Sequence, residues 1–204
     1  MRYATPIILQ KYLQYHWVAA NSKGHGIHSP FVFKFIQEIL NAKSTMVEVE
    51  NSVPNVKKIL QEIEAVSSSS LKPKIILLIA RLVQSLNPLT FSVTGKLKPF
   101  KADSSINTKV SIELTESVVP IDFAFIGYGQ DEAKMLHGVN KLIDNMHSNS
   151  CIILHGIHSD STMEAGWNLL KKHSNIRLTI DVFSIGILFC RKEQKEQEHF
   201  IIRY

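Results

Sequence analysis

An α/β fold with a mostly parallel sheet, closed by an antiparallel hairpin, is what three features of this 204-residue sequence predict. Short apolar runs alternate with helical patterns after residue 70, as in IDFAFIGYG (121–129) and SCIILHG (150–156). Runs buried on both faces belong to parallel strands covered by helices. The last apolar stretch, IRLTIDVFSIGILFCRK (176–192), breaks near Ser184–Gly186 and reads as two strands folded back on each other. Residues 1–70, by contrast, carry only helical patterns and form an N-terminal extension to the α/β domain of 71–204.

The elements follow in order. Ile7, Ile8, Tyr12, Leu13, His16 and Trp17 recur at helical spacing, with Pro6 in the first turn. After NSKGHG, Ser29-Pro30 offers an N-cap and a first-turn proline to a helix carrying Phe31, Phe33, Phe35, Ile36 and Leu40. A third helix is expected over Pro54–Val66, with Val56, Ile59, Leu60 and Ile63 inward. Ser67–Ser70 reads as a linker. Lys74–Leu86 is a strongly apolar helix that Asn87-Pro88 stops. Strands are expected at 89–95, 110–114, 121–129 and 150–156, and helices at 131–146 and 161–173. Residues 96–108 lack periodicity and read as a loop, so the sheet should be short, with five or six strands. The sign-alternating RKEQKEQEH run reads as a solvated strand end or helix turn.

Composition removes several classes. A hydrophobic fraction of 45% and a charged fraction of 20% suit a globular core, not a disordered chain. No apolar run approaches the ~18 residues of a membrane span, so no membrane partner is expected. Gln10, Lys11 and Gln14 interrupt what would be the core of an export signal. Cys151 and Cys190, both inside apolar runs, read as buried thiols in a reducing cytoplasm. Residues 71–109 carry seven basic side chains against one acidic, a footprint that could meet an anion or nucleic acid. No recognised nucleic-acid motif accompanies that charge, and a solvated face is its simplest reading.

With these elements placed, HGIHSPFVF (25–33) resembles the N-terminal hallmark of small bacterial class I S-adenosylmethionine-dependent methyltransferase-like proteins. IDFAFIGYG is similar to that family's fourth strand, SCIILHGIHSDSTMEAGW (150–167) to its fifth strand and next helix, and residues 176–204 to its closing hairpin. Trp167 and Gly186 fall in place within the match. The resemblance implies a Rossmann-like sheet and S-adenosylmethionine as cofactor, bound at the carboxyl ends of the strands. It places Gly95, Gly127, Tyr128 and His155 at the cofactor-binding positions, and His158 and Asp160 at the catalytic ones.

The departures from the family pattern imply a degenerate site. The first-strand loop, FSVTGKLKPF, has one glycine and several lysines, where the family has a glycine-rich acidic loop. No carboxylate ends a second strand. Gly127-Tyr128 stands where the family has Asp-Gly, and His155-Gly156-Ile157-His158 where it has Asp-Asp-Ile-His. Both carboxylate positions that could hold a divalent cation are therefore gone, and no metal site is expected. Weak or absent cofactor binding follows.

Each candidate also has a plainer explanation. The repeat of HGIH at 25–28 and 155–158 brings four histidines, without a thiol or carboxylate to complete a zinc set. His25 and His28 suit a loop packed over the sheet edge. The GYG at 127–129 suits a tight strand-to-helix turn. Glu113, Glu116, Asp131, Glu132 and Asp160 lie near strand ends and could each act as a base, but no pair is spaced for catalysis. The expected function is a methyltransferase-like protein of weak or absent activity. Its alternatives are a non-catalytic protein binding a small molecule or protein partner, and a basic module touching nucleic acid. The aromatic N-terminal helices should be covered by the domain or by a second copy, which would make a homo-oligomer.

Overall fold

A computed structural model describes residues 2–20, 27–67, 71–94, 120–128 and 132–204. Its described part is a mixed α/β structure with seven α-helices around a six-stranded, mostly parallel sheet. The helices are α1 (Thr5–Val18), α2 (Pro30–Phe35), α3 (Met46–Ser52), α4 (Pro54–Val66), α5 (Pro73–Leu86), α6 (Glu132–Asp144) and α7 (Ser161–Leu170). The strands are β1 (Phe91–Thr94), β2 (Ile121–Ile126), β3 (Met146–His155), β4 (Leu178–Asp181), β5 (Ile185–Phe189) and β6 (Glu198–Ile201). They lie in the order β1-β2-β3-β5-β4-β6. Only β5 runs against the rest: β1, β2 and β3 pair in parallel, β5 pairs antiparallel with both β3 and β4, and β6 pairs parallel with β4. The hairpin expected at 176–192 is thus β4–β5, with its second strand inserted beside β3.

Side-chain alternation divides the core. Phe123 and Phe125 of β2, Cys151 and Ile153 of β3, and Ile185 and Ile187 of β5 point to one face. Helices α2 to α5 cover that face. Ala124, Ile126, Ile152, Leu154 and Leu188 point to the other, where α6 and α7 lie. Burial on both faces explains why these strands read as unbroken apolar runs. The N-terminal helices share the core of the first face: Phe31 and Phe35 meet Phe189 edge-on at centroid distances of 5.2 and 6.1 Å.

Several expectations are corrected. Helix α2 starts at Pro30, but Ser29 makes no side-chain capping bond, and the helix continues as a π turn over Ile36–Leu40. Helix α3 was not foreseen, although Thr45 and Glu48 form a capping box at its start. Ser67 is no exposed linker residue: it is buried and its hydroxyl donates to Ile63 O at 2.7 Å. The charged run after Arg191 leads into β6, whose alternating half-exposed pattern marks a sheet edge. The loop expected at 96–108 and the strand expected at 110–114 lie outside the described residues. Both cysteines are free and buried. No helix among the described residues is long and apolar enough to cross a membrane.

Candidate functional site

The carboxyl ends of β1, β2, β3 and β4 bring Thr94, Gly127, His155 and Asp181 to one edge of the sheet. This is the edge where open α/β sheets bind ligands. Helix α1 reaches across it. Its leading residue Tyr3 donates its N–H to Ser159 O at 2.9 Å, and Lys11 forms an ion pair with Glu164 of α7 at 2.8 Å. At its far end Ala20 bridges to Ile202. The Tyr15 hydroxyl, buried among these elements, donates to Ile202 O.

Gly127 is buried, and its N–H donates to Thr94 O at 2.7 Å, extending the β1–β2 ladder by one bond. Tyr128 follows and turns its ring onto Gly156. A Cβ on residue 156 would lie 2.9 Å from Tyr128 Cδ2 and 2.9 Å from Ser159 Oγ, and the backbone there has φ +79°. Only glycine meets both requirements. The Arg2 guanidinium sits over the Tyr128 ring, 4.5 Å from its centroid. Burial, then the hydrogen bond to Asp160, raises the Tyr128 phenol above its ordinary range.

Asp160 is a capping residue. Its Oδ1 accepts the Met163 N–H at 2.8 Å at the start of α7, and its Oδ2 accepts the Tyr128 hydroxyl at 2.7 Å. Both oxygens are therefore engaged inside the fold. His155 is buried at the end of β3, and desolvation, helped by the charge of Arg2, lowers its pKa to about 4. It is a neutral imidazole at physiological pH. Its Nδ1 has no hydrogen-bond partner among the described residues.

His158 is held from both sides. Nε2 lies 2.7 Å from Asp181 Oδ2, and Nδ1 lies 3.2 Å from Glu164 Oε1. Glu164 also accepts from Lys11 and, at 2.9 Å, from the Tyr3 hydroxyl. Burial disfavours a charge on His158, yet the hydrogen bonds and charges of Asp181 and Glu164 prevail and raise its pKa. Phe183 stacks on the imidazole at 5.3 Å and meets Tyr12 edge-on at 5.0 Å. Its φ of +68° is unusual for a side-chain-bearing residue and is held by its N–H donating to Asp181 Oδ1 at 2.8 Å.

The structure therefore brings together Gly127, Tyr128, His155, His158 and Asp160, but in two groups. Tyr128 and Asp160 form one pair, while His158 belongs to the Asp181–Glu164–Lys11 set. Gly95, His25, Glu113, Glu116 and Asp131 lie outside the described residues. His28 is exposed. Among the described residues no three His, Cys, Asp or Glu side chains gather as a metal set. Of the basic segment, Arg81 is buried and donates to Ser44 O at 2.6 Å, so it is not presented to an outside anion. Sequence reasoning missed Asp181, Glu164, Lys11 and Tyr3. An aspartate closing the LTID strand was the one signal available for Asp181.

No protein-family model, curated protein or solved structure matches this chain.

Proposed function

We propose that this chain is a methyltransferase-like α/β protein with a degenerate S-adenosylmethionine site, and that it works by binding a small molecule or protein partner without transferring a methyl group. The observation that carries this reading is the engagement of both candidate bases. Asp160 caps α7 and receives the Tyr128 hydroxyl, while His158 is clamped between Asp181 and Glu164. A general base needs a free lone pair within reach of the acceptor's proton. His158 has neither ring nitrogen free, and Asp160, each of whose oxygens accepts a structural hydrogen bond, is held in place by the α7 cap and by Tyr128.

The cofactor fits the described wall poorly. S-adenosylmethionine carries a sulfonium cation, and the Arg2 guanidinium already lies over Tyr128 at this edge. The Tyr128 ring lies in contact distance of Gly156, so it fills the space beside β3. Neutral His155 stands where the family pattern has a carboxylate, and can offer no charge to an amino group. The Rossmann-like assignment draws its support from three parallel strands followed by a hairpin whose second strand inserts antiparallel.

Isothermal titration with S-adenosylmethionine and S-adenosylhomocysteine, with and without magnesium, tests the proposal. Losing two charge-assisted hydrogen bonds of about 1.5–3 kcal/mol each would weaken a site by roughly a hundredfold to ten-thousandfold. The expected result is no saturable heat at micromolar ligand. A micromolar dissociation constant for either compound overturns the reading.

A further inference from the structure

We infer that the groove between α1 and the start of α5 is a binding site for a small organic anion with an apolar body, of the medium-chain carboxylate class. The groove encloses about 680 Å³, within the size of small-molecule sites. Ile8 and Leu9 of α1 form one wall, and Ile75 with Val182 the other. Lys72 and Lys74 stand along it, and no Asp or Glu lines it among the described residues. Charge of one sign beside apolar walls selects a ligand with an apolar body and an anionic head.

Two further features favour an anion. Helix α5 begins at Pro73 with no acidic residue in its first turn and no side-chain cap, so its positive dipole end is uncompensated from within. The Lys74 ammonium is 4.2 Å from the centroid of Tyr204, whose hydroxyl donates to Lys74 O at 3.1 Å. That ring also lines the groove, so it holds the ammonium against the groove wall. Tyr12 and Phe183, which pack beside His158, line this space, but none of Tyr128, His155 or His158 does, so the groove adjoins the degenerate cofactor edge without using its candidate residues.

Decanoate is the probe, added to the full chain below its micelle-forming concentration. Methyl NMR and calorimetry follow binding, with decyltrimethylammonium as the tail-matched cation and phosphatidylglycerol vesicles as a bilayer source of the same chemistry. Decanoate is expected to bind saturably and to shift the methyl signals of Ile8, Ile75 and Val182. The Lys72→Gln/Lys74→Gln variant should weaken it about tenfold or more. Both lysines are exposed, so the variant should fold, and Ile8→Trp, which fills the groove without changing charge, should weaken binding as well. Equal affinity for the cation, an unaffected lysine variant, or capture by vesicles with no binding of monomeric decanoate would each overturn the inference. Absence of any saturable binding would do the same.

Discussion

His158 Nε2 lies 2.7 Å from Asp181 Oδ2, joining the loop after β3 to the end of β4 beneath helix α1. Glu164, on the other ring nitrogen at 3.2 Å, passes the connection to Lys11 at 2.8 Å and so to α1 itself. One imidazole thereby couples two strand ends to the helix that crosses them.

Stability should depend on pH through this set. His158 has a pKa raised above its ordinary 6.5, so its contribution is fully present below pH 6.5 and is lost as pH rises through the folded value. Glu164 has the opposite sign. Burial opposes its charge, but hydrogen bonds from Lys11, His158 and Tyr3 lower its pKa below 4.5. Its contribution is present above pH 4.5 and disappears as pH falls through the folded value. Buried, neutral His155, with its pKa lowered to about 4, adds stability as pH rises from there to 6.5, so urea unfolding at a series of pH values should show the highest midpoint near pH 6.5. His158→Gln should remove the fall on the alkaline side. An unchanged alkaline slope in that variant would assign the fall to another group.

Asp160 should behave as a structural cap. Asp160→Ala should cost about 1 kcal/mol from the lost helix cap, with more from the lost hydrogen bond to the Tyr128 hydroxyl. Asp160→Asn keeps a capping oxygen and should recover most of the melting temperature. Were Asp160 instead a working base with little structural role, alanine and asparagine would both leave the melting temperature unchanged.

How much of this was legible depends on where each residue's partner lies. Helix α4 over Pro54–Val66 came directly from periodicity and strands β2 and β3 from apolar runs buried on both faces, although β3 begins at Met146, four residues before the expected strand. Strand β6 was obscured because an edge strand of alternating exposure, Glu198–Ile201, needs few apolar residues and tolerates charge. Helix α3 is only seven residues long, and its Thr45–Glu48 box was the one local sign of it. The edge position of His155, His158 and Asp160 was readable from the strand ends. Their engagement was not, because Lys11 reaches Glu164 across 153 residues and Tyr3 across 161. No local pattern encodes such a contact.

The outer face of α1 gives a prediction about exposure. Trp17 is 93% exposed and Leu13 62%, so the described residues of this chain leave the ring uncovered. Helix α1 carries apolar residues on two faces, and only one can meet the sheet edge. Trp17→Ser should therefore stay within about 0.5 kcal/mol of the parent, as exposed substitutions do. Phe35→Ala, at a site 3% exposed, should cost about 3–5 kcal/mol. A concentration-dependent melting temperature that Trp17→Ser abolishes would show instead that a second copy covers the ring.

Gly186 and Trp167 give the sharpest packing test. Gly186 sits in β5 between Leu154 of β3 and Asp181 of β4, and Trp167 projects from α7 onto it. A Cβ at 186 would lie 2.6 Å from Trp167 Cζ3 and 2.7 Å from Cη2, closer than any stable contact. The backbone itself imposes no demand for glycine, so the penalty of Gly186→Ala is steric alone. Overpacking of this kind costs about 1–3 kcal/mol. For a chain of this length that lowers the melting temperature by roughly 2–4 °C per kcal/mol. Trp167→Leu removes most of the ring and should also destabilise, through the cavity it leaves in a site 2% exposed. The two changes should not add. In the Trp167→Leu background the alanine methyl enters vacated space, so Gly186→Ala should become neutral or mildly stabilising. A double-mutant cycle by urea unfolding should return a favourable coupling of about 0.5–3 kcal/mol. Strict additivity would mean that the indole does not rest on the Cα of Gly186, and that the pair does not fix how α7 packs on the sheet.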